Sequence, residues 1–358
     1  MRINIIIAFV SIISFLSCND DIIVKPAPTD GQVAYIINYG TYSGANGEIS
    51  IFDIDKGEIT DSTGFFSANG LEFNSKIESV TIVDSTMYLM SNNGDKIDIL
   101  DANTLKQTIN PIYDGIVKPR FMLEHNGTGY ISCWGNVEDW NKVATSYIAK
   151  MNLDNFSIER FPVPGGLEGM SIVENTLYIA QTAINTIVTM NLLTDTIDSF
   201  KVQAVPQQFA IGNKGKMYVS LVSKFLTNFP KEKLGIALIN TDNNKIEKFI
   251  PVPNIGSNGF IELSPDKKTL FVLAREEYPG KLSSIVAIDL TDNSKKEIIT
   301  GESFNGLGIN PENSDIYVLI SPSATERGFL RIYDKNGKFK SVHKTMISPK
   351  HIVFHTVE

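Results

Sequence analysis

From residue 33 onward the chain repeats itself, and the repeat leaves few folds open. Six stretches share one pattern: "IESVTIVDSTMYLMS", "KPRFMLEHNGTGYIS", "LEGMSIVENTLYIAQ", "PQQFAIGNKGKMYVS", "NGFIELSPDKKTLFVLA" and "NGLGINPENSDIYVLI". Each reads as a strand, a tight polar turn and a second strand carrying an aromatic residue or Leu. Third segments recur as well ("GEISIFDID", "SYIAKMNLD", "TIVTMNLLT", "SIVAIDLTD"), each ending in an Asp/Asn-rich turn before a polar fourth segment. The units start near Ile77, Pro119, Leu167, Pro206, Asn258, Phe304 and Pro349. That spacing of roughly 40–50 residues is the period of a four-stranded propeller blade. The last unit, "PKHIVFH", is a half-copy whose missing partner is "QVAYIINYG" near the N-terminus. The expected fold is therefore all-β: a seven-bladed β-propeller of four-stranded blades, with the first blade closed by the C-terminal strand. Closure of that kind hides sheet edges that would otherwise pair with other chains.

A four-stranded blade sorts its loops onto two faces. Loops from strand one to two and three to four lie on one face, and here they are short: "DS", "HNG", "EN", "NKG". Loops from strand two to three, and those between blades, lie on the other face. These are long and varied: "NYGTYSGANG", "CWGNVEDWNKVAT", "LVSKFLTNFPKEKLG", "AREEYPGKLSS", "SPSATERG". Long irregular connections on a rigid scaffold are where function concentrates.

The long-loop face carries the candidate ligand-binding residues. Aromatic side chains gather there, with Tyr39, Tyr42, Trp134, Trp140, Phe225, Phe229 and Tyr278 on the long loops. Such side chains desolvate favourably and have few rotamers to lose on binding. The alternative for any one of them is that it packs its own loop onto the blade. At the start of each inner strand a side chain reaches the channel mouth: Glu78, Arg120, Glu168, Gln207, Asn258, Asn305 and Lys350. Arg120 offers a fork of donors for a carboxylate, phosphate or phenolate, or else it pairs with Glu168 of the next blade. Arg275 and Arg327 complete the set. Eleven basic against ten acidic residues on this face leave it near neutral, on a chain whose net charge is −8. An anionic or neutral polar ligand suits it better than a cationic one, and the whole molecule is not built to bind nucleic acid.

Catalytic signals are sparse. His125, His343, His351 and His355 do not converge with other ligands into a metal site, and there is no Gly-x-Ser-x-Gly elbow. The Asp/Asn turns lack the spacing of a calcium loop and read as hairpin turns. No metal, no cofactor and no enzymatic activity is expected.

The N-terminus reads as an address. Arg2 precedes an apolar run, Ile3 to Leu16, which is short for a membrane span, and Ser17 stands before Cys18. Residues 1–17 are expected to be a signal peptide and 18–32 a tether, with the propeller over 33–358. The Ser17–Cys18 junction resembles the lipobox of bacterial lipoproteins, which implies lipidation at Cys18. A soluble signal peptide with an incidental cysteine is the alternative. Asn19, Asp20 and Asp21 resemble the surface-export signal of Bacteroidetes lipoproteins, or serve as a solvated tether.

The blade motifs themselves carry a family likeness. "KPRFMLE", "YISCWGN", "LEGMSIVENTLYIAQTAINTIVTMNLLTDTI" and "NGLGINPENSDIYV" resemble the surface-layer-like, YncE-type propeller lipoproteins of the Bacteroidetes. That resemblance implies a lipid-anchored monomer on the bacterial outer membrane, facing outward. It implies capture of a bulky metal chelate, a ferric siderophore or a corrinoid such as cobalamin, and delivery to a TonB-dependent transporter. The mildly basic, aromatic face favours a ferric catecholate. A glycan- or protein-binding scaffold, and a propeller-type lactonase or lyase, are the other classes considered.

Overall fold

Alternating apolar strands between tight turns assemble into seven antiparallel sheets, each one blade, in a computed structural model that describes residues 31–41, 44–140, 142–224, 229–276 and 280–357. The expected signal peptide, most of the expected tether with Cys18, and Tyr42, Phe225 and Tyr278 lie outside the described residues. The inner strands run Pro349–Val357, Ile77–Val83, Pro119–His125, Leu167–Val173, Val205–Ile211, Ile261–Leu263 and Phe304–Ile309 for blades one to seven. In blade one, the C-terminal strand pairs with Gly31–Asn38, which is followed by Glu48–Asp53 and Glu58–Asp61. The two chain ends thus share one sheet, and the ring closes as the repeat requires.

Two departures from the expected pattern matter. Blade two is a three-stranded sheet, and the segment in its fourth place touches Lys96–Asp101 through the single bridges Ile97–Ile112 and Leu100–Gln107. Pro111 and the turn-forming "YDG" beside it break the ladder there, since proline offers no N–H to a neighbouring strand. Blade six is the second. Its inner strand begins at Ile261 rather than near Asn258 and is three residues long.

The core lies between blades. At the closing seam Ala34, Ile36 and Phe52 of blade one pack on Tyr317, Leu319, Leu330 and Ile332 of blade seven. Five further clusters fill the other seams, each drawing side chains from adjacent sheets. No single blade can bury both of its faces, so stability is a property of the ring. Among the described residues, no helix is long and apolar enough to cross a membrane.

Ile36 tests the seam. It is fully buried, and Ile36→Ala deletes its branch where two sheets meet. Urea unfolding is expected to show a loss of about 2–5 kcal/mol. A loss under about 1 kcal/mol would mean that the seam adjusts without the side chain.

Candidate functional site

One backbone irregularity recurs in six blades and builds the channel mouth. In blade two Ile77 faces Ser91 and Ser79 faces Met90, so Glu78 is an extra residue in the inner strand. Arg120 occupies the same place in blade three, Asn305 in blade seven and Lys350 in blade one. In blades four and five the two-residue pairs Glu168–Gly169 and Gln207–Gln208 stand there. A β-bulge bends the strand and re-aims its side chain. Their place at the start of each inner strand puts Glu78, Arg120, Glu168, Gln207, Asn305 and Lys350 at the mouth, as the repeat implies, and the bulge is what brings them together. Serines of the second strands satisfy the displaced backbone. Ser132 Oγ accepts from the Phe121 N–H, and Ser220 Oγ accepts from the Gln208 N–H.

Four of these residues form a continuous charge chain across blades one to four. Lys350 Nζ lies 2.5 Å from Glu78 Oε1, and Arg120 Nη1 lies 2.8 Å from Glu78 Oε2. Arg120 also grips Glu168 with two nitrogens, Nη2 at 3.0 Å and Nε at 3.2 Å. Both carboxylates are almost inaccessible to solvent. Burial alone would push the Glu78 carboxyl up, but the Arg120 and Lys350 cations beside it hold it down, to about 2. Of the two roles weighed for Arg120, ligand grip or ion pair, the geometry shows the ion pair, doubled. Gln207 is also engaged: its amide donates to Pro206 O and to Thr182 Oγ1.

Aromatic side chains cover this chain. The Arg120 guanidinium lies 4.4 Å from the centre of the Trp134 ring, whose Nε1–H donates to Leu167 O at 2.9 Å. Trp134 therefore ties its loop to blade four as well as capping Arg120. Trp140 meets Trp134 edge-on at 5.8 Å and remains 58% exposed. Tyr39 sits between two ammonium groups, 5.2 Å from Lys350 and 5.4 Å from Lys76.

The other half of the mouth is open, and blade six is the reason. Where the other inner strands carry one or two extra residues, residues 256–260 stand opposite Leu273 alone, between the pairs Ile255–Ala274 and Ile261–Val272. The bulge has grown into a turn, closed by Gly259 N–H donating to Gly256 O. Gly259 has φ +61°, and a Cβ there would lie 2.5 Å from Ser220 Oγ and 2.7 Å from Gln207 Cβ, so the position needs glycine. The displaced strand leaves a cavity of about 480 Å³ between blades five, six and seven. Lys224, Asn258, Phe260, Leu273, Arg275 and Asn305 are among its walls. Neither Lys224 nor Arg275 has an ion-pair partner among the described residues; Arg275 makes one long contact, Nη1 to Phe304 O at 3.5 Å.

The remaining candidates lie apart. Arg327 is exposed and donates from Nε to Thr345 O of its own blade. Cys133 ends its strand buried, and burial pushes its thiol up to about 12. His351 is held between Phe121 and Phe260 across the channel, and burial with Lys350 beside it pushes it down to about 3. His355 Nε2 meets Asn103 Oδ1 at 2.8 Å, and His343 Nε2 meets Ser341 Oγ at 2.9 Å. Among the described residues no three His, Cys, Asp or Glu side chains are grouped to hold a metal. Lys224 was not among the candidate site residues, because a lysine in a long polar loop reads as solvated. The turn-forming run Gly256-Ser257-Asn258-Gly259 was the available signal for the cavity.

Solved structures share this architecture at low identity. A quinoprotein alcohol dehydrogenase-like protein from Bacteroides thetaiotaomicron matches with a TM-score of 0.67 and 14% identity, over 91% of this chain and 78% of its own. A 6-phosphogluconolactonase-like protein of Bacteroides fragilis matches with a TM-score of 0.66 and 13% identity, over 92% and 100%. The periplasmic gluconolactonase of Pseudomonas aeruginosa matches with a TM-score of 0.68 and 12% identity, over 91% and 99%. At such identities the likeness is one of fold. No family model and no curated protein matches the sequence.

Removing the central cation tests the charge chain. Arg120→Met leaves Glu168 buried without its partner and Glu78 with Lys350 alone, and is expected to cost about 3–5 kcal/mol at pH 7 in urea unfolding. The depressed Glu78 pKa contributes stability above the ordinary carboxylate range, lost only as pH falls through about 2. In the variant the carboxyl rises, so protonation relieves it. The gap between variant and wild type should narrow as pH is lowered from 7 to about 5. An equal gap at both values would contradict the account.

Proposed function

We propose that this chain is a binding protein that captures a bulky anionic ligand at the channel mouth of its long-loop face, without transforming it. The observation that carries this reading is the division of the mouth. On one side the charges are internally neutralised and roofed by indoles. On the other, Lys224 and Arg275 line a cavity, together with Lys231 and Glu276, and neither Lys224 nor Arg275 makes an ion pair among the described residues. Lys224 and Arg275 are half-buried, and a cation partly withdrawn from water gains from a ligand that supplies the counter-charge. Exposed Trp140, standing over Trp134, adds a flat surface for a ring system.

A ferric catecholate meets these requirements with flat rings and net negative charge, and cobalamin is the alternative cargo. In this reading Cys18 carries a lipid anchor and the propeller stands outside the outer membrane, delivering its cargo to a TonB-dependent transporter. Two structural neighbours are named for lactones and one for alcohol oxidation. Turnover of glucono-1,5-lactone or of an alcohol by the purified protein is therefore the competing outcome.

Titration followed by tryptophan fluorescence separates these. Both indoles lie at the mouth, so ferric enterobactin is expected to quench emission saturably, with Trp140→Ala weakening binding roughly tenfold and leaving the melting temperature within about 2 °C. Binding of cobalamin alone would move the cargo to the corrinoid. No response to either, or turnover of the lactone, would overturn capture.

A further inference from the structure

Of the cations at the mouth, Arg120 and Lys350 are already engaged by carboxylates, whereas Lys224 and Arg275 share a cavity with neither an ion pair nor a short hydrogen bond among the described residues. The chemistry around them is mixed. Phe260 and Leu273 supply apolar lining, the Asn258 and Asn305 amides supply polar lining, and Lys231 and Glu276 line the same cavity. Asn305 spends its Nδ2 on Pro349 O, which leaves its Oδ1 as an acceptor.

We infer that Lys224 and Arg275 form an anion subsite for the carboxylate of a flat aromatic acid, whose ring lies along Phe260 and Leu273. The inference rests on the proposed binding face and says which part of that face accepts a carboxylate. Arg275 supplies a planar fork of donors and Lys224 a point charge, the pair that a carboxylate accepts from two directions. The volume of about 480 Å³ admits a bicyclic acid. A strongly hydrated inorganic phosphate would gain nothing from the Phe260 and Leu273 side, which favours a carboxylate joined to a ring.

Protonation gives the subsite a signature. Burial pushes the Lys224 ammonium down to about 8; Glu168 and Glu78 oppose this, and Arg120 and Lys350 add to it. An anion binds the charged form, so affinity falls as pH rises through that value. Those four groups are held in their own ion pairs. Lys231 and Glu276, which also line the cavity, are unchanged in Lys224→Met, so a pH effect lost in that variant traces to Lys224.

Calorimetric titration of the full chain with 2-naphthoate, 2-naphthamide and inorganic phosphate tests this. Naphthoate is expected to bind at least tenfold more tightly than the isosteric amide, and phosphate should not displace it. Lys224→Met and Arg275→Gln should each weaken naphthoate about tenfold, and Lys224→Arg should restore most of it. Between about pH 8 and 9 the wild type should lose several-fold in affinity, and Lys224→Met should not. Equal binding of acid and amide on the wild type, displacement by phosphate, or no naphthoate binding would overturn the subsite, whatever the variants do. If ferric enterobactin binds and naphthoate does not, the subsite fails and capture stands. If naphthoate behaves as expected and enterobactin does not bind, capture of that cargo fails and the subsite stands.

Discussion

The bidentate grip of Arg120 on Glu168, with its second hand on Glu78, is the interaction on which the mouth depends. Three inner strands from three different blades are joined by one guanidinium, and Lys350 extends the link to the C-terminal strand. Hydrophobic packing between blades sets their spacing but does not choose which polar groups meet at the axis. The ion pairs do, because a buried carboxylate left unpartnered costs far more than a mispacked methyl. Trp134 completes the arrangement. By stacking on Arg120 and donating to Leu167 O it excludes water from pairs that would be weak if they were wet.

Saturation of that side has a functional consequence. A cation held by two carboxylates has little left to offer a ligand, so the most conspicuous arginine of the mouth is a structural element there. Binding capacity moves to where the sevenfold pattern breaks. Blade six replaces a simple bulge by the turn at 256–260, withdraws its inner strand, and opens a cavity beside Lys224 and Arg275. Repetition builds the scaffold, and the single expanded bulge makes one sector differ from the others.

Much of this was legible in the sequence. Strand, turn and strand at a regular interval named the fold, the half-copy "PKHIVFH" named the closure, and positions such as Glu78, Arg120 and Lys350 fell at the mouth because blade starts are regular. Trp134 was expected on the long-loop face, and it stands there against Arg120. Two things were hidden for physical reasons. Whether Arg120 faces a ligand or its neighbours depends on side chains far apart in sequence, and periodicity does not report such pairings. The opening of blade six depends on a turn within what the repeat reads as a strand, where the run Gly256 to Gly259 outweighs the strand pattern around it. Blade two shows the same competition at its outer edge, where Pro111 wins over the fourth strand.

The central claim is that the cations of the mouth divide into satisfied and open ones. Bromide soaked into crystals of the protein and located by its anomalous scattering measures that division directly. The account predicts an anion between Lys224 and Arg275 and none at Arg120, whose donors are turned to Glu78 and Glu168. Bromide at Arg120, with the blade-six cavity empty of anions, would contradict it.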